Sequence, residues 1–325
     1  LLSEWYKSAF ILINHVILSS LFCLFGIGGN VINICVFVKQ GLSKSMNANF
    51  FAMAVSDILE TVAQLWQNVC LNPYLLRTDS IIDFDDIQYL TAGWPSLVLV
   101  RITGWITVYV TAERCLSVTF PLNIKQIVTP RRTAAILVFI YVTNIAGVIP
   151  LYFSAYFSWN FYPAQNRTKL GISFRRNKHD VESLIFSIQA SLTIIAFCSV
   201  VVLTSFLIVQ LNLKSKWRRT STLEVGKSHG ISSRERKAVA MVIVVASVLL
   251  ICYTPAVVCS LATAITHDFS ITGEQVNVFH AVWSFAFLFH SMNSSVAVIL
   301  YYKMSSKYRE TFRDIFPRWG KIGFR

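Results

Sequence analysis

Residues 183–211 read SLIFSIQASLTIIAFCSVVVLTSFLIVQL, an uninterrupted run without a charged side chain. As an α-helix this run would extend about 43 Å, which exceeds the ~30 Å hydrocarbon core of a bilayer. Helices in soluble domains average only about 11–12 residues. The run therefore predicts a helix that crosses a membrane.

Six further apolar runs lie along the chain and have similar lengths. The chain is 54% hydrophobic and 14% charged, whereas about a quarter of a soluble domain is charged. Because no water reaches the backbone at membrane depth, such runs form helices rather than open strands. The seven predicted spans are residues 11–38, 49–70, 88–117, 133–156, 183–211, 235–264 and 275–302.

The C-terminal segment differs from the spans because its apolar residues are spaced for one face of a helix. Met304, Tyr308, Phe312 and Ile315 fall on that face, which is typical of an amphipathic interfacial helix. The predicted fold class is an all-α membrane protein, a seven-transmembrane helix bundle with a short amphipathic C-terminal helix. We place the bundle and this helix (303–316) in one domain, 1–316, followed by a cytoplasmic tail, 317–325.

The basic residues predict the orientation of the bundle. With the N-terminus outside, 20 Lys and Arg residues fall on the inner side and seven on the outer side. This bias predicts a multi-pass plasma-membrane protein with an extracellular N-terminus, and it accounts for the net charge of +13 without a nucleic-acid partner. Asn166-Arg167-Thr168 then forms a glycosylation acceptor in an outer loop.

Enzymatic and metal-binding functions find no support in the pattern of reactive residues. No nucleophile lies near a base in the spans, and no group of His, Cys, Asp and Glu has the spacing of metal ligands. We therefore expect neither an enzyme nor a metal site nor an organic cofactor.

Ionisable residues inside the spans require a reason, because each costs at least ~2.5–3.5 kcal/mol to insert. Asp57 lies midway through the second span, and the polar residues at matching depth are Asn30, Asn293 and Ser294. They predict one buried polar cluster. Two interpretations are open: a functional polar core that holds a cation, or a packing network in which Asp57 is protonated.

Arg101 lies deep in the third span. Its planar guanidinium suits an anionic ligand group such as a carboxylate. Equally, it suits a structural bridge to Asp57 or Glu60, and the sequence does not decide between them. The other candidate residues of a ligand pocket are Trp94, Ser96, Trp105 and His280.

Two further features lie at span positions where a conformational switch could act. Glu113-Arg114-Cys115 closes the third span, and Arg114 could pair with Glu113 or with Glu235 at the start of the sixth. An ion pair between helix ends is a contact that a two-state switch can make and break. Cys252-Tyr253-Thr254-Pro255 places a proline inside the sixth span, where it kinks the helix.

These motifs, in order, resemble the signature of rhodopsin-like G protein-coupled receptors. The residues that carry the resemblance are Asn30, Ala54-Val55-Ser56-Asp57, Glu113-Arg114-Cys115, Cys252-Tyr253-Thr254-Pro255 and the stretch from Asn293 to Met304. Within that family the chain looks most like molluscan chemosensory receptors, with invertebrate FMRFamide-type peptide receptors as near neighbours.

The resemblance implies roles for these residues. Arg114 would leave its acidic partners on activation and contact a heterotrimeric G protein, with Tyr301 swinging toward it. Cys252, Tyr253 and Pro255 would transmit the change that an extracellular small molecule or peptide induces. Asp57, with Asn293 and Ser294, would resemble the family's sodium site.

The chain also departs from the family pattern. Ala297-Val298 replaces the Asn-Pro pair before Tyr301, so Ala297 offers no ligand for a cation. Tyr89 stands where the disulfide cysteine of the third span is expected, and the loop 157–182 contains no cysteine. We therefore expect an outer loop without its usual covalent fastening. The alternative function is a polytopic transporter that uses Asp57 and Arg101.

Overall fold

A computed structural model describes residues 2–76, 78–163, 166–176, 178–221, 233–266, 268–269 and 273–317. Within them, seven long helices follow one another, and a short eighth helix comes after the last. They are α1 (Glu4–Gln40), α2 (Ser45–Cys70), α3 (Phe84–Thr119), α4 (Pro130–Ser154), α5 (Lys178–Ser221), α6 (Ser233–Ile265), α7 (Val276–Met304) and α8 (Ser306–Ile315). The predicted helical bundle is confirmed.

Local sequence explains several helix ends. Gly41 ends α1 with φ of +84°, a conformation that favours glycine, and the chain turns there into α2. Thr129 caps α4 by accepting a hydrogen bond from the Arg132 amide, and Pro130 occupies the first turn. Ser305 caps α8 through the Tyr308 amide.

The second helix is the least apolar of the seven. Six helices are long and apolar enough to cross a membrane by composition alone, and α2 is not among them. Its buried residues include Asp57, Glu60, Gln64 and Asn68, which recur every three or four positions and so form one polar stripe. This polar stripe faces the bundle. The opposite, exposed face of α2 is apolar.

Glycines allow α1 and α7 to approach closely. A methyl group at Gly26 would lie 2.6 Å from the Ser295 Oγ, and one at Gly29 would lie 2.8 Å from a Val298 methyl. The approach brings the Asn30 side-chain amide within 2.7 Å of the Ser294 carbonyl oxygen, to which it donates. Small residues at such contacts are typical of membrane helix packing.

A β-hairpin, which the sequence did not lead us to expect, follows α4. Its strands are β1 (Ala155–Tyr162) and β2 (Arg167–Phe174), paired antiparallel. On its other edge β2 is bridged at Leu170 by Ile82, from the connection between α2 and α3. We refer to this end of the bundle as the hairpin end and to the opposite end as the α8 end.

Candidate functional site

The α8 end of α3 carries the predicted charged pair. Arg114 and Glu113 form an ion pair, and the second oxygen of Glu113 accepts hydrogen bonds from the Ser45 hydroxyl at 2.5 Å and the Asn49 amide at 2.8 Å. Ser45 also bonds Thr133 on α4 at 2.9 Å. One buried carboxylate therefore holds Arg114 and ties α3 to α2, and through Ser45 to α4.

The other predicted partner of Arg114 is Glu235. The backbone of Glu235 lies in the first turns of α6, and its side chain falls outside the described residues. The predicted Arg114–Glu235 pair therefore stays a prediction. The predicted tail, 317–325, lies outside the described residues from 318 onward.

Tyr301 lies away from Arg114 in an aromatic cluster between α1, α2, α7 and α8. Its ring packs against Phe50, Phe37 and Tyr308 at centroid distances of 4.8, 5.3 and 5.9 Å. The Tyr308 hydroxyl donates to Asn33 at 2.6 Å and so fastens α8 to α1. The predicted movement of Tyr301 toward Arg114 would therefore require Tyr301 to leave this cluster.

The predicted polar cluster around Asp57 is partly assembled. The Thr103 hydroxyl of α3 donates to Asp57 at 2.8 Å, and Asn30 reaches the Ser294 backbone rather than Asp57 itself. A cavity of about 10 Å³ beside Asp57 is lined by Asn293 and Ala297 among others. That volume is about what a single water molecule needs.

Glu60 is a buried carboxyl group that sequence reasoning named only as a partner of Arg101. It is fully buried, and neither of its carboxyl oxygens accepts a hydrogen bond, although the Ser294 side chain lies close to it and to Asp57. The signal was present in the sequence: Asp57, Glu60, Gln64 and Asn68 follow helical spacing.

The part of this stripe nearer the hairpin end, Gln64 and Asn68, joins a second polar network with α1 that was also not predicted. The side-chain nitrogen of Asn68 donates hydrogen bonds to the Ser19 and Ser20 hydroxyls. Its side-chain oxygen accepts a hydrogen bond from the Gln64 amide and lies 3.2 Å from the His15 Nδ1. The α1 residues approach from a π-helical stretch, 12–19, within α1. Period-3.6 reasoning does not anticipate the extra rotation of a π-helix, so this contact was not visible in the sequence.

Arg101 does not form the structural bridge to Asp57 or Glu60. It is only 4% exposed, its Nε donates to the Asn144 side chain of α4 at 2.9 Å, and its Nη2 has no hydrogen-bond partner among the described residues. Among the described residues no carboxylate pairs with it. A cation buried without a counter-charge costs several kcal/mol, so this position is one that an anion would stabilise.

Tyr253 lies near Arg101 and near Asp57 and Glu60 of the polar stripe on α2. Its hydroxyl donates to the Val100 carbonyl of α3 at 2.5 Å, and its ring packs against His290 of α7 at 5.2 Å. It is near enough to interact electrostatically with Arg101, Asp57 and Glu60. The ring nitrogens of His290 are buried without hydrogen-bond partners. Tyr253 therefore connects α3, α6 and α7 two residues before Pro255, which lies inside α6.

The remaining pocket candidates are dispersed. Trp94 and Ser96 are buried near the hairpin end of α3, where the Ser96 hydroxyl bonds the Gly93 carbonyl. Trp105 is half-buried against the main apolar core, and His280 is half-buried beside Phe279. Among the described residues no hydrogen bond or ion pair joins these four side chains to Arg101.

The hairpin end is fastened without a disulfide. The Tyr89 hydroxyl donates to Glu182 of α5 at 2.7 Å, and its ring packs edge-on against Phe174 of β2 at 6.0 Å. The Asp86 carboxylate accepts the Ile172 amide at 3.1 Å and the Tyr162 hydroxyl at 3.0 Å. Burial and the Asp86 carboxylate raise the pKa of the Tyr162 phenol, so it keeps the proton that it donates. Noncovalent contacts thus hold the loop that lacks cysteine.

Asn166, the predicted glycosylation acceptor, lies exposed at the turn between β1 and β2. Its φ of +47° belongs to a conformation that asparagine tolerates better than most residues. The acceptor nitrogen is therefore accessible, and its modification stays a prediction.

Together these features define a multi-pass membrane protein that buries ionisable groups within its helical bundle. They include Glu113 at the α8 end, and Asp57, Glu60 and Arg101 deeper in the bundle. Residues 17–319 match the family described as serpentine type 7TM GPCR chemoreceptor Srw. The match covers nearly the whole chain, and the chain belongs to this family of chemoreceptors, whose members are receptors and not enzymes.

Proposed function

We propose that this chain is a plasma-membrane receptor that transmits an extracellular chemical signal to a heterotrimeric G protein. The observation that carries the proposal is the buried Glu113–Arg114 pair at the α8 end, held by Ser45 and Asn49. The positive-inside bias supports an extracellular N-terminus, which places this pair on the cytoplasmic side. The ordered motifs support a place among rhodopsin-like receptors, beside molluscan chemosensory and FMRFamide-type receptors.

The switch rests on two alternative positions of Arg114. In the resting arrangement Glu113 neutralises the guanidinium, and Tyr301 packs in its aromatic cluster. On activation Arg114 leaves Glu113 for the G protein, and Tyr301 moves toward it. An element with two discrete arrangements is what a ligand needs in order to shift a population.

The ligand class follows from Arg101. Its unpaired Nη2 is a donor for a carboxylate or a similar anionic group, which would supply the missing counter-charge. Both a small organic acid and the C-terminus of a peptide carry that group. Tyr253, which is held to Val100 and packed on His290, passes the change toward Pro255 and α6.

A sodium ion beside Asp57 is the resting-state partner that the resemblance implies. Support for it comes from the oxygen atoms of Asp57, from Asn293 at the cavity wall and from the water-sized volume between them. Ala297 provides no ligand, so the ion would rely on the oxygen atoms of Asp57 and Asn293.

Nucleotide exchange tests the proposal. The full chain is reconstituted with purified heterotrimeric G protein, and exchange is followed while carboxylate odorants and short peptides are added. The wild-type chain should accelerate exchange with at least one ligand, and Arg114→Ala should not. Arg313→Ala, which removes an exposed cation of α8 at the same end, is the matched control and should respond as wild type does. Ligand-driven uptake into vesicles without nucleotide exchange would contradict the receptor and favour the transporter.

A further inference from the structure

The first strand of the hairpin presents three aromatic side chains that are about half exposed or more. Phe157, Trp159 and Phe161 alternate along β1 and so point to one side. Their exposed fractions are 49%, 62% and 60%. Exposed aromatic patches of this kind mark interaction surfaces in proteins. We define these three side chains as the aromatic face.

The inner edge of the hairpin is already occupied. There β2 is bridged to Ile82, and Leu170 exchanges backbone hydrogen bonds with Ile81 and Asp83. Tyr162, on the opposite side of β1 from the aromatic face, bonds Asp86. The hairpin is thus held by the α2–α3 connection, and β1 is the free strand on the side away from it.

The base of the hairpin lies at the end of a lipid-facing helix. The Arg175 amide donates to the carbonyl of Ser154, the last residue of α4, at 2.9 Å. The preceding residue, Phe153, is 70% exposed. The exposed aromatic surface therefore continues from the end of a membrane-spanning helix into β1.

Strand geometry limits how this hairpin can stand. Trp159 and Phe161 come four and six residues after Ala155, which is about 13 and 20 Å along a strand. The interfacial layer on each side of the hydrocarbon core is only about 5–8 Å thick. An upright hairpin would place both side chains in water, whereas a hairpin inclined along the membrane surface would keep them in the interfacial layer.

We propose that the aromatic face docks into the interfacial layer of the leaflet at the hairpin end. Aromatic rings, and Trp above all, are enriched at this level in membrane proteins. Arg175 and Arg176, both exposed at the base of β2, are placed to meet lipid phosphates. The lipid surface thus covers the aromatic side chains of β1, while Asp86 holds the opposite side of the hairpin through Tyr162 and Tyr89 packs against Phe174 of β2. This is a second noncovalent fastening of the loop that lacks a disulfide.

Quenching of Trp159 tests the docking, and it needs neither a ligand nor a G protein. The full chain is reconstituted in phosphatidylcholine nanodiscs, with or without bromine on the acyl chains near the headgroup. The emission lost on changing Trp159→Phe is the Trp159 contribution. That contribution should be strongly quenched by brominated lipid and weakly by aqueous acrylamide.

Trp94→Phe is the matched control, because Trp94 is 7% exposed and neither quencher should reach it. A Trp159 contribution that acrylamide quenches and brominated lipid does not would overturn the proposal and leave the face open to water or a peptide. Resistance to both quenchers would also overturn it, since the face would then be covered by protein.

Discussion

Tyr89 donates a hydrogen bond to Glu182 at 2.7 Å and so joins α3 to α5 at the position where the sequence lacks the family's disulfide cysteine. The same ring contacts Phe174 of the hairpin, and Lys178 lies 3.5 Å from the centroid of the Phe174 ring. One tyrosine therefore connects the third helix to the loop that a disulfide would connect in the rhodopsin-like receptors that the sequence resembles. The connection is weaker than a covalent bond and can be broken by single substitutions.

Tyr89→Phe should loosen the hairpin end. The substitution keeps the ring contacts and removes only the hydrogen bond to Glu182, which is worth about 1 kcal/mol at this half-exposed position. Thermal unfolding of the purified chain should show a slightly lower melting temperature. Hydrogen exchange should increase in β2 and not at the α8 end. An unchanged β2 would show that this contact does not hold the loop.

Gly171→Ala should release the hairpin from the α2–α3 connection. A methyl group there would lie 2.6 Å from both the Asp86 Oδ2 and the Tyr162 hydroxyl, so one of these contacts must give way. Overpacking of this kind costs about 1–3 kcal/mol. The Ile172 amide, which donates to Asp86, should lose its protection from hydrogen exchange. Protection at the wild-type level would mean that the Asp86 contact is not formed in solution.

Gly29→Val should destabilise the packing of α1 on α7. The added atoms would collide with Val298, and the hydrogen bond from Asn30 to the Ser294 carbonyl would lengthen. A loss of about 1–3 kcal/mol is expected from overpacking, read out as a lower melting temperature. Gly28→Val is the matched control, because nothing lies within 4 Å of its added carbon. Equal effects of the two changes would contradict the close contact.

Glu113→Gln should raise nucleotide exchange in the absence of ligand. The amide oxygen can still accept from Ser45 or Asn49, so the change chiefly removes the charge that holds Arg114. If the substitution destabilises the arrangement with the Glu113–Arg114 pair by about 1.4 kcal/mol relative to the active arrangement, the active population grows about tenfold. Glu182→Gln, which removes a carboxylate at the hairpin end, should leave basal exchange at the wild-type level. No rise with Glu113→Gln would show that this pair is structural only.

Arg101→Met should stabilise the bundle and abolish the response to carboxylate ligands. The substitution leaves the Asn144 oxygen without its donor, at a cost of about 1–3 kcal/mol. It also removes a buried unpaired charge, whose burial costs several kcal/mol, so the net effect should be a higher melting temperature. Melting curves with and without a series of carboxylates, and with their methyl esters as controls, measure both effects. A lower melting temperature would show that Arg101 has a counter-charge in the resting protein.

The sequence by itself determined the fold class, because repeated apolar runs of membrane length leave few alternatives for the backbone. The order of short motifs carries its information along the chain, so a chemoreceptor of the G protein-coupled type was predictable too. The orientation, which the inner bias of Lys and Arg predicts, stays a prediction. Glu113 and Arg114 are adjacent, and their pairing needed no tertiary information. Membership of the chemoreceptor family agrees with that level of prediction.

Tertiary structure alone decided which polar groups meet. Arg101 was open to Asp57, to Glu60 or to a ligand, and in the structure its Nε donates to Asn144 of α4 rather than to either carboxylate. The π-helical stretch of α1 brings Ser19 to Asn68, a contact that no regular period predicts. The fastening of the hairpin through Tyr89 depends on side chains far apart in sequence, in α3, α5 and β2. Pairings of this kind depend on helix rotation and depth, and a linear pattern of apolar residues specifies neither precisely enough.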